Sequence, residues 1–168
     1  GLRFIETAHV KDITAFLRIL ENPRDQIAWF RVLQLLSGIG PATAARAFEH
    51  VLAHEGRGSA LLSFRGPPAA VVGLTLMGDM FKGFEEQPAD GPAEEIERIR
   101  PLYKPLMERN HENPEPRRRD IEHLQILAGR YRRRSGFLAD LVLDPPVSAG
   151  DFAASPARDE DWLVLSTI

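Results

Sequence analysis

The tripeptide Gly38-Ile39-Gly40 and the residues after it could bind phosphate groups. Glycine lets the main chain approach an anion closely, and the unpaired amides of the helix predicted to begin at Pro41 would point toward that anion. Thr43 can donate a hydroxyl hydrogen, and Arg46, further along that helix, can add positive charge. The side chain of Ile39 is expected to hold the turn in the core. The alternative is that the tripeptide is only a tight turn in a helical hairpin.

The same Gly-Ile-Gly pattern occurs in base-excision glycosylases, in which a catalytic aspartate follows about twenty residues later. In this chain the corresponding segment, Arg57–Leu62, contains no aspartate, so a glycosylase is disfavoured.

His50 and His54 share one predicted helix face with a spacing that can bind a metal, but no third ligand is evident. The acidic run Asp159–Asp161 has no second acidic strand beside it. At both places a solvated surface is the favoured interpretation.

A local basic stretch lies within an acidic chain. The formal net charge is −3, from 21 basic and 24 acidic residues, so no global charge attracts the chain to nucleic acid. Between residues 109 and 134, however, eight arginines stand against four acidic residues, a local balance of +4. The cluster Arg117, Arg118 and Arg119 and the cluster Arg132–Arg134 could bind phosphates. The alternative is that neighbouring acidic side chains pair with them on an exposed surface.

The composition is that of one globular domain: the chain has 168 residues, of which 43% are hydrophobic and 27% charged. It has no cysteine, which excludes disulfides, thiolate metal sites and cysteine nucleophiles. No window approaches the roughly 20 apolar residues of a membrane span, and no basic-then-apolar signal segment precedes the first helix. These features predict a soluble cytoplasmic protein that does not bind membranes.

Apolar residues recur at intervals of three and four along most of the chain, which predicts a mainly α fold. The predicted helices cover residues 9–20, 23–36, 41–52, 59–64, 67–81, 93 to the stop at 113, 121–131 and 135–141. In the second of these, Asn22 would be the N-cap and Pro23 the first helical residue. Pro101 and Pro105 each remove a backbone donor and are expected to break or kink the helix that follows residue 93.

Both ends of the chain have the pattern of β-strands. Leu2–Glu6 alternates apolar and polar residues, and Trp162–Thr167 is an apolar, β-branched run. A helical region between two strand-like ends is typical of an insertion, in which the domain leaves and re-enters the sheet of another domain. The expected organisation is a terminal strand over 1–8, a helical domain over 9–150, and a linker with a last strand over 151–168.

Over its full length the chain resembles the inserted 2B subdomain of the UvrD/Rep/PcrA group of superfamily 1 DNA helicases. The segments that carry the resemblance occur in family order: Arg3–Glu6, Val10–Asp12, Phe16–Asp25, Ser37–Thr43, Arg119–Leu124, Leu143–Pro146 and Leu163–Ile168. The resemblance implies a multi-helix domain with a helix-hairpin-helix-like element. It also implies that the two terminal strands belong to the neighbouring RecA-like domain, and that the last strand leads into helicase motif V.

In that family the parent enzyme hydrolyses ATP with Mg²⁺, moves along single-stranded DNA, generally 3′ to 5′, and unwinds the duplex ahead. Its 2B subdomain contacts the duplex through the Gly-Ile-Gly hairpin and rotates between orientations that regulate unwinding. The present chain has no Gly-x-x-x-x-Gly-Lys-Ser/Thr phosphate loop, so it is not expected to hydrolyse ATP by itself. The resemblance assigns DNA contact to four residues: Gly38, Ile39, Gly40 and Thr43. Electrostatics adds Arg46 and the Arg117–Arg119 cluster.

Two functions follow as expectations. The first is a regulatory subdomain of an ATP-dependent DNA helicase that binds the backbone of duplex or junction DNA without reading its sequence. The second is a protein-interaction module of the same helicase, which contacts the other domains of its parent or a repair or transcription protein, with an architectural hairpin. The acidic net charge favours the second, because a dedicated DNA-binding domain is usually basic. A free-standing enzyme is disfavoured, since no convergent set of acid, base, nucleophile or metal ligands is evident.

Overall fold

The computed structural model describes residues 4–143 and 145–146, and these form a mainly helical domain, as the spacing of apolar residues predicts. The α-helices of this part are α1 (Ala8–Glu21), α2 (Gln26–Leu33), α3 (Pro41–Ala53), α4 (Val71–Glu86), α5 (Pro92–Asn110), α6 (Pro114–Ala128) and α7 (Arg134–Leu143). Short 3-10 helices cover Phe4–Glu6, Gly58–Ser63 and Pro68–Ala70. Among the residues described, no helix is both long enough and apolar enough to cross a bilayer.

Helix α1 lies at the centre of the packing and contacts α2, α5, α6 and α7. Its inward face is fully buried and consists of Val10, Ile13, Phe16 and Leu17. Trp29 of α2 belongs to the same core, with its ring centroid 5.1 Å from that of Phe81. Each such buried side chain contributes about 1.5–3 kcal/mol to folding. The other tryptophan, Trp162, lies outside the described residues.

The predicted start of α2 at Pro23 is wrong, because a different residue caps the helix. Asp25 is the N-cap, and its carboxylate accepts a hydrogen bond of 3.0 Å from the amide of Ala28. Asn22 closes a turn instead, accepting a bond of 3.1 Å from the amide of Arg24. The carbonyl of Pro23 accepts a bond of 2.8 Å from the indole of the buried tryptophan, which places that residue before the helix.

Pro101 and Pro105 were predicted to break or kink the helix, and the break is wrong, because α5 runs continuously from Pro92 to Asn110. Both prolines lie on the exposed face of the helix. The carbonyls that lose their N–H donors belong to Glu97 and Pro101, two exposed residues at which water can replace the lost bond. The opposite face is buried and consists of Ile96, Ile99, Leu102, Tyr103 and Leu106. The packing of this face maintains the helix despite the prolines.

A buried carboxylate, Asp12 of α1, joins three helices. It accepts hydrogen bonds from the hydroxyl of Tyr103 in α5 at 2.6 Å and from Nε of Arg31 in α2 at 2.8 Å. Burial, followed by the charge of Asp12, raises the pKa of Tyr103, so the hydroxyl keeps the proton that it donates. A buried charge without partners would be strongly destabilising, so these bonds fix α2 and α5 relative to α1.

The terminal strand predicted over residues 1–8 is not present in its described part, where Phe4–Glu6 is a 3-10 helix. Phe4 is buried against the ring of His123, with 5.5 Å between the centroids, and its carbonyl accepts a bond of 2.8 Å from the hydroxyl of Thr7. A strand requires a neighbour to pair with, and the residues described contain no strand. Residues 1–3, the linker from 147 onward and the strand predicted near 162 lie outside the described residues.

The first and last described segments of the chain lie next to each other. Ile5 and Glu6 line one side of a cleft of about 450 Å³, and Leu141 and Val142 line another part of it. Helices α1 and α7 are also in contact. The first residues described and the end of α7 therefore lie close together.

Candidate nucleic-acid interface

The connection between α2 and α3 is a tight bend that requires glycine. After α2 ends at Leu33, turn bonds continue the chain, from the amide of Leu36 to the carbonyl of Leu33 at 3.2 Å and from the amide of Ile39 to the carbonyl of Leu36 at 3.3 Å. Gly38 then has a φ of +78°, the left-handed region that residues with a Cβ rarely adopt. This turn reverses the chain before α3 begins, as predicted, at Pro41.

One side of the bend packs against the protein. Ile39 is 6% exposed and lies in the core, which confirms its predicted role of holding the turn. A Cβ added to Gly38 would come 2.9 Å from the Cβ of Ala69, and one added to Gly73 of α4 would come 2.8 Å from a methyl of Leu36. Such distances are too short for real Cβ contacts, so both glycines permit a close approach between the bend and the start of α4.

The other side of the bend is open. Gly40 is exposed, and a Cβ built on it would have no heavy atom within 4 Å. Its carbonyl accepts the first bond of α3, from the amide of Ala44 at 2.9 Å. Within the described residues, the amides of Gly40, Ala42 and Thr43 have no hydrogen-bond acceptor, and no side chain caps the helix. Three free amides at a helix N-terminus, where the helix dipole is positive, can together bind one anionic oxygen group.

Thr43 and Arg46 extend this open side along α3. Thr43 is half-buried and Arg46 is exposed, and they lie one turn apart on the same side of the helix. The guanidinium of Arg46 lies over the ring of Phe64, with Cζ 5.8 Å from the ring centroid. This contact restricts the side chain without neutralising its charge.

His50 of α3 and His54, which follows the last residue of that helix, both have protein partners. His50 Nε2 lies 3.0 Å from the carbonyl of Ala60 and 2.9 Å from the hydroxyl of Ser63, and His54 Nδ1 lies 2.8 Å from the carbonyl of His50. No group of three or more His, Cys, Asp and Glu side chains is placed to hold a metal ion in the part of the chain that the structure describes. These bonds connect α3 to the 3-10 helix Gly58–Ser63.

Arg117 is engaged with α1 rather than with the bend. It donates a bond of 3.1 Å to Nδ1 of His9, whose Nε2 lies 2.8 Å from the carboxylate of Asp120. An arginine cannot accept a hydrogen bond, so Nδ1 is the acceptor and Nε2–H donates to Asp120. Burial is the main cause that lowers the pKa of His9. The hydrogen bond and negative charge of Asp120 raise this pKa, and the positive charge of Arg117 lowers it. Neutral His9 therefore links α1 to α6.

The other two arginines of this cluster differ from each other. Arg118 pairs with Glu115 and Glu122 on its own helix, which is the acidic pairing offered by the sequence as the alternative to phosphate binding. Arg119 is exposed, and no ion pair engages it within residues 4–143. The structure thus brings Gly38, Ile39, Gly40, Thr43 and Arg46 together, whereas the contacts of Arg117 and Arg118 are made elsewhere.

Sequence analysis did not single out Arg109, which contacts the bend. This residue lies in the last turn of α5 and donates to the carbonyl of Leu35, at 2.7 Å, and to the hydroxyl of Ser37. A basic residue near a helix C-terminus often binds carbonyls, but usually those of its own helix. Nothing in the spacing of the sequence indicates a partner 74 residues away.

Comparisons with protein-family models, with curated proteins and with solved structures found no match to this chain.

Proposed function

We propose that this chain binds the sugar-phosphate backbone of duplex or junction DNA, as the 2B-type regulatory subdomain of an ATP-dependent 3′-to-5′ DNA helicase. The observation that carries the proposal is the open side of the bend, where Gly40 and Ala42 are exposed, Thr43 is half-buried, and the amides of all three have no acceptor among the described residues. The resemblance of the sequence to that family supports it. The helix-hairpin-helix-like element of the proposal is formed by α2, the bend and α3.

Each part of the bend has a separate task in this proposal. The positive φ of Gly38 turns the chain so that the amides face outward, and Ile39 holds the turn in the core. A phosphate oxygen accepts hydrogen bonds from the amides and from the hydroxyl of Thr43, while Arg46 adds charge. All of these contacts go to the backbone of the nucleic acid and none to base edges, so binding is independent of sequence.

The motor lies outside these residues in the proposed arrangement. ATP and Mg²⁺ belong to the RecA-like domains of the parent, and the present sequence has no phosphate loop that would hold them. Because the net charge of the chain is −3, its binding to DNA should be weak and highly sensitive to salt. The logarithm of the binding constant should fall with the logarithm of the salt concentration, with a slope of about −0.9 per phosphate neutralised.

Two substitutions at Gly40, by aspartate and by asparagine, test the proposal, because the two new side chains have the same size and differ in charge. Asp and Asn are both good N-cap residues, and no atom lies within 4 Å of the new Cβ, so both variants should fold like the wild type. Only Gly40→Asp places a negative charge where the phosphate would bind. Fluorescence anisotropy with a labelled duplex, at low and moderate salt, should show a loss of about 1–3 kcal/mol for Gly40→Asp and a clearly smaller loss for Gly40→Asn.

Two results would contradict the proposal. If the wild type shows no salt-dependent binding to duplex DNA, the chain is not a DNA-binding domain. If Gly40→Asp and Gly40→Asn bind equally well, the DNA lies elsewhere and the bend is architectural. Circular dichroism of each variant would show that the helices are intact.

The second candidate function is a protein-interaction module of the same helicase, and one surface favours it. Val72 and Leu76 lie one turn apart on α4 and are 70% and 52% exposed. Exposed apolar side chains that adjoin on one helix face are typical of a contact with another protein surface. If this candidate is correct, replacing both residues with serine should weaken binding to the parent's other domains or to a repair or transcription protein, and DNA binding should be absent.

A further inference from the structure

The geometry points to Arg109 as a positioning residue for the bend: it holds the backbone before Gly38 so that the free amides of α3 are fixed in place to receive a phosphate. Its guanidinium donates to the carbonyl of Leu35, at 2.7 Å, and to the hydroxyl of Ser37. This inference rests on the proposed function, because the residue is argued to act through the bend rather than on the DNA itself.

The carbonyl of Leu35 needs a donor that the local chain does not supply. Beyond the end of α2, the turn amides of Leu36 and Ile39 donate to the carbonyls of Leu33 and Leu36. Among the residues described, no backbone amide donates to Leu35. Backbone carbonyls in folded chains are almost always satisfied, and here Arg109 is the donor.

The contact joins the bend to a distant part of the chain. Arg109 follows Leu35 by 74 residues and lies in the last turn of α5, where its positive charge is favourable to the helix dipole. The bend has further contacts with the protein, where Gly38 approaches Ala69 and Gly73 approaches Leu36. Ile39 is also buried, so the backbone before Gly40 is held by several contacts in addition to that of Arg109.

A lysine could not reproduce this contact. The guanidinium presents planar, fixed donors that reach two acceptors at once, whereas a lysine ammonium is a single point charge on a flexible chain. Arg109→Lys therefore keeps the positive charge near the bend but cannot form both hydrogen bonds, to the carbonyl of Leu35 and to the hydroxyl of Ser37, at the same time. This makes it possible to separate positioning from direct attraction of a phosphate.

The experiment compares wild type, Arg109→Lys and Arg109→Gln with the control Arg130→Lys. Arg130 is an exposed arginine in the turn after α6, and its contacts include none with the bend. The first measurement needs no DNA: hydrogen exchange of the bonded amides around the bend, those of Leu36, Ile39 and Ala44, should become about tenfold faster in both Arg109 variants and remain unchanged in the control. Exchange in α1 should be unchanged in every variant, which shows that the fold is intact.

The second measurement is anisotropy with a labelled 20-base-pair duplex across a salt series. Both Arg109 variants should bind about tenfold more weakly than the wild type, a change of ~1.4 kcal/mol. The slope of log affinity against log salt should remain that of the wild type, because Arg109 is occupied by neutral protein groups and neutralises no phosphate.

Two results would overturn the inference. One is unchanged exchange at the bend in both Arg109 variants, which would show that the contact does not order the backbone. The other is a salt slope that becomes shallower by about 0.9 in Arg109→Gln and is restored by Arg109→Lys, which would make Arg109 a direct phosphate ligand. If the wild type itself does not bind DNA, the proposed function fails, and the exchange measurement still decides whether Arg109 orders the bend.

Discussion

Replacing Gly38 with alanine should destabilise the fold by about 2 kcal/mol, whereas Gly40→Asn, two residues later, should leave stability unchanged or slightly raised. At Gly38 the φ of +78° costs a residue with a Cβ about 1–2 kcal/mol. The new Cβ would also come 2.9 Å from that of Ala69, and a forced shift of this kind costs about 1 kcal/mol or more. The reduced freedom of the unfolded chain offsets about 0.4–1 kcal/mol of the total.

Gly40 differs from Gly38 in both respects. Its φ of −98° is accessible to any residue, and the space around its Cβ position is empty. Asparagine is a better N-cap than glycine by a few tenths of a kcal/mol. Urea denaturation followed by circular dichroism measures both variants, and thermal unfolding should place Gly38→Ala about 4–8 °C below the wild type. Equal stability of Gly38→Ala and wild type would refute the left-handed bend, and with it the orientation of the free amides.

Three further predictions concern the helical framework. Pro101→Ala should raise the free energy of unfolding by about 1–2 kcal/mol in urea denaturation, because alanine restores a donor to a continuous helix; a decrease would indicate that the proline is needed. Tyr103→Phe should lower it by about 1–3 kcal/mol, since the buried carboxylate of Asp12 loses a donor. Burial lowers the pKa of His9 below 6.5, so the unfolded chain binds a proton more readily than the folded chain. The contribution of neutral His9 to the free energy of unfolding should therefore be fully present above pH 6.5 and be lost as the pH falls below that value. Urea titrations at several pH values should show a shallower fall for His9→Gln, and an identical fall would contradict this reasoning.

The helices could be predicted from the sequence wherever burial of one face decides them. The apolar stripe of α1 and the start of α3 at Pro41 are examples, because the spacing of apolar residues and a first-turn proline are local signals. The start of α2 was not predictable by the same means. Asn22 and Asp25 are both suitable caps, and the choice depends on the carbonyl of Pro23, which is bound by a tryptophan of the core.

The two prolines of α5 show a second limit of sequence reasoning. A proline in a helix removes a backbone N–H donor, which leaves the carbonyl four residues earlier without its helical hydrogen bond. The consequence depends on whether that carbonyl is exposed to water or buried in the protein. Pro101 and Pro105 fall on the exposed face, and the buried face keeps the helix continuous. The described part of the strand predicted over residues 1–8 is a 3-10 helix, because alternation of side chains makes a strand only where another strand pairs with it.

For the candidate site, local residues were predictable and long-range partners were not. The bend, the burial of Ile39 and the open start of α3 follow from glycines, one aliphatic residue and a proline that adjoin in the chain. The pairing of Arg118 with Glu115 and Glu122 could also be expected, since these residues lie three and four positions apart. The partners of Arg109 and Arg117 depend on how α5 and α6 pack, which the spacing of residues does not specify.

The meeting of the first and last described segments at one cleft has a mechanical consequence. In the proposed insertion into a neighbouring domain, attachment through two adjacent points would let this domain rotate as a unit without stretching either connection, whereas attachments on opposite sides would resist the rotation. The same proximity allows a circular permutant. A short glycine-serine linker from the end of α7 to Phe4, with new ends opened in the loop between α4 and α5, would leave each described helix uncut.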